Sequence, residues 1–523
     1  MCYYINIIKS GNFVGQFTLK RGSLMFFDIN KFTARTICEN QVTDTVIETV
    51  SRENELDLLL CADEDKPKFV ELHWQTADDG NFVVLGDAWE RSYGDLEFRK
   101  LSENKRYMPW YFIATDKKTC FCFGVRTQAN SFVSFKYDET GITALVDVRN
   151  GGSGVHLNGR KLCVATFICA FYNDSEVYEN LCDFCRKMCD KPLLPKERVY
   201  GGNNWYYAYG NSSYEQIIAD TKLQVELSDG IENKPFEVVD DCWQINPCEG
   251  PWLPNEKFAD MKKLADAIKE IGARPGIWMR LLHNRDNKIT DEMRILKGGK
   301  RQYLDPTHPF VREYIKADIE RVKGWGFELI KHDFSTFDLF GSWGKDLDSV
   351  ITEYENWHFF DKTKTNAEIV LDLYRLIKET AGDMYIIGCN TVSHLSAGLV
   401  HLSRTGDDTS GKEWERTRKM GVNTLAFRLA QNEAFYMCDA DCVGILEDYI
   451  PWEKNRQWLH LLSKSNTPLF VSCNDTIADE IKDDLKEAYR TYNAQHTIKP
   501  VDIFDTKTPS VWKIDGEEVQ YKW

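Results

Sequence analysis

The sequence has no uninterrupted apolar run of about 18 residues, so no membrane-spanning helix of ordinary length is expected. It also lacks a positive surplus. Its 81 acidic side chains outnumber 65 basic ones, which leaves a formal net charge of -16 and a pI near 5.3. A chain without a positive field captures phosphates poorly, so nucleic acid and anionic membrane are not expected partners. The opening residues, Met1-Cys2-Tyr3-Tyr4-Ile5-Asn6-Ile7-Ile8-Lys9, lack the basic stretch, apolar core and small-residue cleavage site of a secretory leader. They alternate like a first β-strand, and the expected compartment is the cytoplasm, with the 16 cysteines reduced rather than paired. No phosphate-binding loop is present: Gly151-Gly152-Ser153-Gly154 has neither a lysine nor a helix behind it and reads as a turn. Near Cys182-x-x-Cys185-x-x-x-Cys189 there is no fourth ligand for zinc. The spacing puts these thiols on one helical face, read as buried. No metal or organic cofactor is implied, and heptads and low-complexity tracts are absent.

Aromatic residues are abundant: 15 Trp, 23 Tyr and 29 Phe, within a hydrophobic fraction of 43%. That supplies a large core and excludes intrinsic disorder. Residues 1–195 carry short β-branched or aromatic runs between Gly, Asn and Asp turns, such as Asn81–Leu85, Cys120–Val125 and Leu162–Phe167. The expectation is an N-terminal antiparallel β-sandwich closed by a helix over about 174–190 and the linker Lys191-Pro192-Leu193-Leu194-Pro195. Over residues 196–480 the pattern changes to short apolar runs alternating with amphipathic stretches such as Lys257–Ile271 and Ile369–Ala381. The runs are Asn203–Tyr206, Phe236–Trp243, Ala273–Arg280, Phe327–Phe334, Met384–Asn390, His401–Asp408, Glu433–Asp441 and Thr467–Cys473. Eight βα repeats predict a (β/α)8 TIM barrel. A short C-terminal segment, 481–523, follows, with one charged helix over about 477–491 and a few strands.

Polar groups sit where these strands end, which in such a barrel is the mouth that carries chemistry. Strand 4 ends Lys331-His332-Asp333; alternation puts Lys331 and Asp333 on one side, and a lysine beside Asp333 favours its ionised, nucleophilic form. Strand 6 continues Arg404-Thr405-Gly406-Asp407-Asp408-Thr409. Two adjacent carboxylates repel, and a partly desolvated one holds a proton, as a general acid must. Strand 2 ends Asp240-Asp241-Cys242-Trp243, two hydroxyl-binding carboxylates before an indole suited to a sugar face. Trp278 and Arg280 end strand 3, Asn390 ends strand 5, Asp441 ends strand 7, and Trp205 stands at strand 1. Each element alone has a bland explanation: Lys-x-Asp as a structural ion pair, Asp407-Asp408-Thr409 as a turn or helix cap. Together, paired carboxylates with tryptophan and no His/Cys constellation fit glycoside hydrolysis.

At this point the motifs resemble the clan of retaining α-glycosidases that contains glycoside hydrolase families 27, 31 and 36. Asp240-Asp241-Cys242-Trp243 resembles its strand-2 signature, Lys331-His332-Asp333 its nucleophile motif, Thr405-Gly406-Asp407-Asp408-Thr409 its acid/base segment, and Thr467-Pro468-Leu469-Phe470-Val471 its closing strand. A sandwich preceding the barrel is similar to family 36, as is Gly86-Asp87-Ala88-Trp89-Glu90-Arg91-Ser92-Tyr93-Gly94. The resemblance implies a retaining exo-α-galactosidase. In that reading Asp333 is the nucleophile, and Asp240, Asp241, Lys331, Arg404, Trp205, Trp243, Trp278, Arg280, Asn390 and Asp441 surround an α-galactoside substrate. Alignment on the Gly-Asp pair selects Asp407 as acid/base and is preferred; alignment on Arg-x-x-x-Asp selects Asp408. His332 departs from the Cys, Tyr or Trp usual before the nucleophile, and the C-terminal segment is shorter than the family's β-domain. α-N-acetylgalactosaminidase, another α-glycosidase or transglycosidase of the clan, and a non-catalytic carbohydrate-binding barrel are the alternatives. Self-association into a homo-oligomer is left open.

Overall fold

The computed structural model describes residues 3–4, 8–9, 27–40, 42–76, 81–446 and 448–523. Of the expected opening strand, Tyr3–Tyr4 and Ile8–Lys9 are extended, and the rest of that segment lies outside the described residues. Two largely antiparallel sheets, of six and eight strands, make up the N-terminal region. Period-two patterning builds them: in Glu55–Cys61 the side chains of Leu56, Leu58 and Leu60 turn inward while their neighbours do not. The sheets meet through aromatic rings, Trp74 against Phe123 at 5.1 Å and Phe112 against Phe135 at 5.7 Å between centroids.

A ring of parallel strands follows. Barrel strand 1 is Tyr200–Asn203, strand 2 Phe236–Val239, strand 3 Arg274–Met279, strand 4 Leu329–His332, strand 5 Tyr385–Gly388, strand 6 Leu402–Arg404 and strand 8 Leu469–Ser472. Strand 7 is in two pieces, Met437–Asp439 and Cys442–Gly444. The first piece pairs with strand 6 and the second with strand 8, while strand 8 also pairs with strand 1, so the ring closes across the interruption. The barrel expected from the eight repeats is therefore present. One boundary differs: strand 1 lies three residues earlier than the Asn203–Tyr206 run. Trp205 opens a short helix, Trp205–Ala208, because Asn203 Oδ1 accepts its backbone N–H at 3.0 Å and starts a turn.

The outer helices match their sequence signals. Asn366–Ala381 begins with a Thr365/Glu368 capping box, and Met261–Ile271 begins at Asp260, whose carboxylate accepts the Lys263 N–H. The helix carrying the cysteine trio, Val177–Met188, buries Cys185, and Cys189 just beyond it is buried, while Cys182 is half-buried. The C-terminal helix Asp479–Tyr492 docks on the barrel through Tyr489, whose hydroxyl donates to Gln224 Oε1, and a three-stranded sheet follows it.

Two of the places where the N-terminal sheets are fastened to the barrel bear on the site. The Gly151–Gly154 turn lies against the loop after strand 4. A side chain on Gly151, whose φ is +59°, would come within 2.6 Å of the Trp357 carbonyl oxygen. The second fastening is the strap 86–94, which crosses the mouth: the Ser92 N–H donates to the Thr405 carbonyl at 2.8 Å, and the Asp407 N–H to the Ser92 carbonyl at 3.3 Å.

Candidate active site

The strand ends converge as the alternation rule requires. Asp240 is buried at the end of strand 2. Its Oδ2 accepts from the Lys331 ammonium of strand 4 at 2.6 Å and from the Asn203 amide of strand 1 at 2.7 Å. Lys331 was expected to serve Asp333; the structure aims it at Asp240 instead. Burial opposes its charge, yet the carboxylate beside it holds the ammonium well above the ordinary lysine range. Asp241 turns Oδ1 to the N–H groups of Cys242 and Cys248 and to the Gln244 amide, and burial pushes its carboxyl up.

Asp333 follows strand 4 and is half-buried. Its Oδ2 accepts the indole N–H of Trp278 at 3.1 Å and its Oδ1 the backbone N–H of Phe334 at 2.7 Å. Trp278 is thus at the site, edge-on to the candidate nucleophile. Trp243 is not: fully buried, it packs on Trp252 and Trp325 and donates its indole N–H to the Trp278 carbonyl. The expectation that Trp243 faces the sugar is corrected; it props Trp278 from behind. Trp205 is half-buried and packs beside Tyr209.

Three further residues from the sequence reading are already engaged. The Arg280 guanidinium is bidentate to Asp338, with 2.6 Å the shortest contact, lies 4.0 Å over the Phe334 ring and donates to Cys248 Sγ. Burial pushes the Asp338 carboxyl up to about 6 despite that guanidinium. Asn390 is fully buried; its amide donates to Glu90, and its Oδ1 accepts the Phe337 N–H. Asp441 Oδ2 receives Arg404, the Tyr206 hydroxyl and the Thr409 N–H. Each of these groups thus holds another part of the mouth in place.

The twin carboxylates after strand 6 differ sharply. Asp407 places Oδ1 2.9 Å from Arg91 and Oδ2 2.8 Å from Arg416, so both oxygens lie in guanidinium pairs, and its side chain is 19% exposed. Asp408 is 37% exposed and turns Oδ1 to Arg404 at 3.2 Å. Burial tends to raise the Asp408 carboxyl, but Arg404, Arg91 and Lys331 outweigh it and hold it down to about 2. The elevation anticipated for one of the two carboxyls is not seen at Asp408, which sits among cations that lower it instead.

Three left-handed residues stand at the same rim. Cys242, Phe334 and Asp441, at φ of +77°, +64° and +70°, follow the ends of strand 2, strand 4 and the first half of strand 7. Each costs on the order of 1–3 kcal/mol, and such outliers gather at sites the fold over-determines. Glu90, Arg91, Asp338 and Arg416 carry no role in the sequence reading. Only the first two had a signal, as part of the 86–94 strap.

No protein-family model and no curated protein matches the chain by sequence. Solved structures do match by shape. TtGalA, an α-galactosidase from Thermus thermophilus solved with p-nitrophenyl α-D-galactopyranoside, is 14% identical, with a TM-score of 0.60 over 93% of this chain and 97% of that one. The GH36 α-galactosidase AgaA from Geobacillus stearothermophilus is 13% identical, with a TM-score of 0.58 over 94% of this chain and 72% of that one. The galactosidase domain of the α-galactosidase-sucrose kinase AgaSK is 15% identical, with a TM-score of 0.55 over 93% and 75%. The sandwich and barrel of this protein share the fold of GH36 α-galactosidases.

Proposed function

We propose that the protein is a glycoside hydrolase that removes terminal α-linked galactose with retention of configuration. The observation that carries this reading is the gathering of Asp333, the Asp240–Lys331 pair and Asp408 beside Arg404 at one C-terminal barrel mouth. The solved galactosidases of the same fold support the choice of sugar, including TtGalA in complex with stachyose and AgaA in complex with raffinose. In this reading residues 196–480 are the catalytic barrel, 1–195 the sandwich with its linker helix, and 481–523 a short C-terminal segment.

Asp333 attacks the anomeric carbon, forming a carbon–oxygen bond as the bond to the leaving oxygen breaks. Asp408 delivers a proton to that oxygen. Water then enters, Asp408 takes its proton, and the glycosyl–Asp333 bond breaks. The acid role passes from Asp407 to Asp408 because both Asp407 oxygens are held by guanidinium groups, whereas Asp408 is paired on one oxygen and is the more exposed. A bound sugar would change the surroundings of Asp408. Its hydroxyls engage Lys331 and Arg404, the aglycone excludes water, and the Asp408 carboxyl rises from about 2 toward a range where it can donate. Asp240 and Asp241 accept sugar hydroxyls, and Trp205 and Trp278 border the glycone.

The test is hydrolysis of p-nitrophenyl α-galactoside, run beside the α-N-acetylgalactosaminide and α-glucoside. Wild-type protein is expected to prefer the α-galactoside, and Asp333→Ala to abolish turnover while the circular dichroism spectrum is unchanged. Azide should restore product release in Asp333→Gly as a β-galactosyl azide. Full activity in Asp333→Ala would falsify the assignment.

A further inference from the structure

The strap 86–94 belongs to the N-terminal sheets, yet two successive side chains on it reach three loops of the barrel mouth. Glu90 is fully buried. It accepts the Tyr93 hydroxyl at 2.7 Å and the Gly344 N–H at 2.7 Å from the loop after strand 4, as well as the Asn390 amide after strand 5. Arg91, 7% exposed, points to the strand-6 loop. Its Nη2 is 2.9 Å from Asp407 Oδ1, its Nη1 is 4.0 Å from Asp408 Oδ1, and its guanidinium lies 5.1 Å over the Trp343 ring. The backbone between Ser92 and residues 405–407 fixes that register. Farther back, Asp87 is bound to Arg428 at 2.9 Å and to the Gln431 amide.

We propose that Arg91, supplied by the sandwich, is a positioning residue of the barrel site. It locks Asp407 as a structural anion and stands 4.0 Å from Asp408, so that Asp408 alone is left to move a proton. The inference rests on the glycosidase reading above. Its logic is one of competition. A guanidinium between neighbouring carboxylates acts most strongly on the one it approaches closest, and here the short contact goes to Asp407. The groups facing Asp408 are Arg404 on strand 6, Lys331 on strand 4, Asp441 after the first half of strand 7, Tyr206 and Tyr209 after strand 1, Arg416 at the backbone, Asp407 beside it and Arg91. Of the nearby cations among the described residues, only Arg91 comes from outside the barrel.

Two substitutions move the proton balance in opposite directions. Arg91→Met removes a cation near Asp408, so the alkaline limb of the kcat–pH profile on p-nitrophenyl α-galactoside should move up by about 1 unit. Asp407→Asn removes a neighbouring anion and frees Arg91 to close on Asp408, and both effects move the same limb down. Arg91→Lys keeps the charge and should keep the wild-type limb. A strap that merely braces the fold would lower kcat or thermal stability without shifting the limb in either direction. An unmoved limb in an active Arg91→Met enzyme overturns the proposal, and if Arg91→Met does not fold, Arg91→Gln decides it by the presence or absence of the same upward shift. Failure of the glycosidase reading shows separately, as absent turnover in the wild-type protein.

Discussion

At the residue scale the site is a set of carboxylates with unequal surroundings. Asp408 and Asp407 are neighbours in sequence, and their division of labour is visible in leaving-group dependence. Asp408→Ala should slow hydrolysis of a poor leaving group such as raffinose by roughly 10²–10⁴-fold, and an activated nitrophenyl galactoside far less. Asp407→Ala should lower both substrates together, because it loosens the loop rather than removing the proton. The reverse pattern in the two variants would return the acid role to Asp407. Arg280 and Asp338 give a second residue-scale test. Asp338→Ala strands a buried guanidinium and should cost about 3–5 kcal/mol of stability, read by denaturant unfolding. The strand-end residues were legible in the sequence because barrels place their chemistry there. Their partners were not. Lys331 joins Asp240 across 91 positions of sequence, and Arg280 meets Asp338 across 58, so neither pairing leaves a local signal.

At the scale of elements, strands 4 and 5 carry imidazoles into the interior. His332, on strand 4, has no hydrogen-bond partner for either ring nitrogen among the described residues. His394, after strand 5, is stacked on Trp110 at 5.0 Å and contacts the Val125 carbonyl oxygen at 2.8 Å. Burial lowers both from the ordinary 6.5 to about 4. The unfolded chain therefore takes up these protons first as pH falls. The imidazole contribution to stability should decline between about pH 6.5 and pH 4 and level off below, by at most about 3 kcal/mol per imidazole. Urea midpoints across that window check this, and His332→Phe should flatten part of the slope. Most element boundaries were legible from apolar periodicity and caps, as in Asn366–Ala381. The misplaced strand 1 and the divided strand 7 were not: a turn set by the Asn203 side chain and a strained Asp441 have no periodicity to betray them.

At the scale of the whole molecule, sandwich and barrel are joined through buried polar contacts: Asp87 with Arg428, Glu90 with Asn390, and the Arg149 guanidinium with the Thr352 carbonyl. Opening that joint exposes charged groups to one another's loss, which is costly. Scanning calorimetry should accordingly show one cooperative transition for the full chain; two well-separated transitions would contradict a tight joint. Composition announced the layers, a strand-rich half before an alternating one. It was silent on the joint: the 86–94 segment stood out only by its resemblance, and nothing in the sequence ties Glu90 to Asn390, 300 positions away, or Arg91 to Asp407.

The ring closes only where strand 8 meets strand 1, pairing Leu469 with Tyr200. During synthesis the sandwich is complete long before that seam can form. Strand 1 must wait, one edge bare, until nearly the whole barrel has left the ribosome. Non-local closure of this kind is slow, and bare strand edges invite association. A nascent barrel growing on a finished sandwich, with the strap already in place to receive the strand-6 loop, has a template that the barrel by itself would lack.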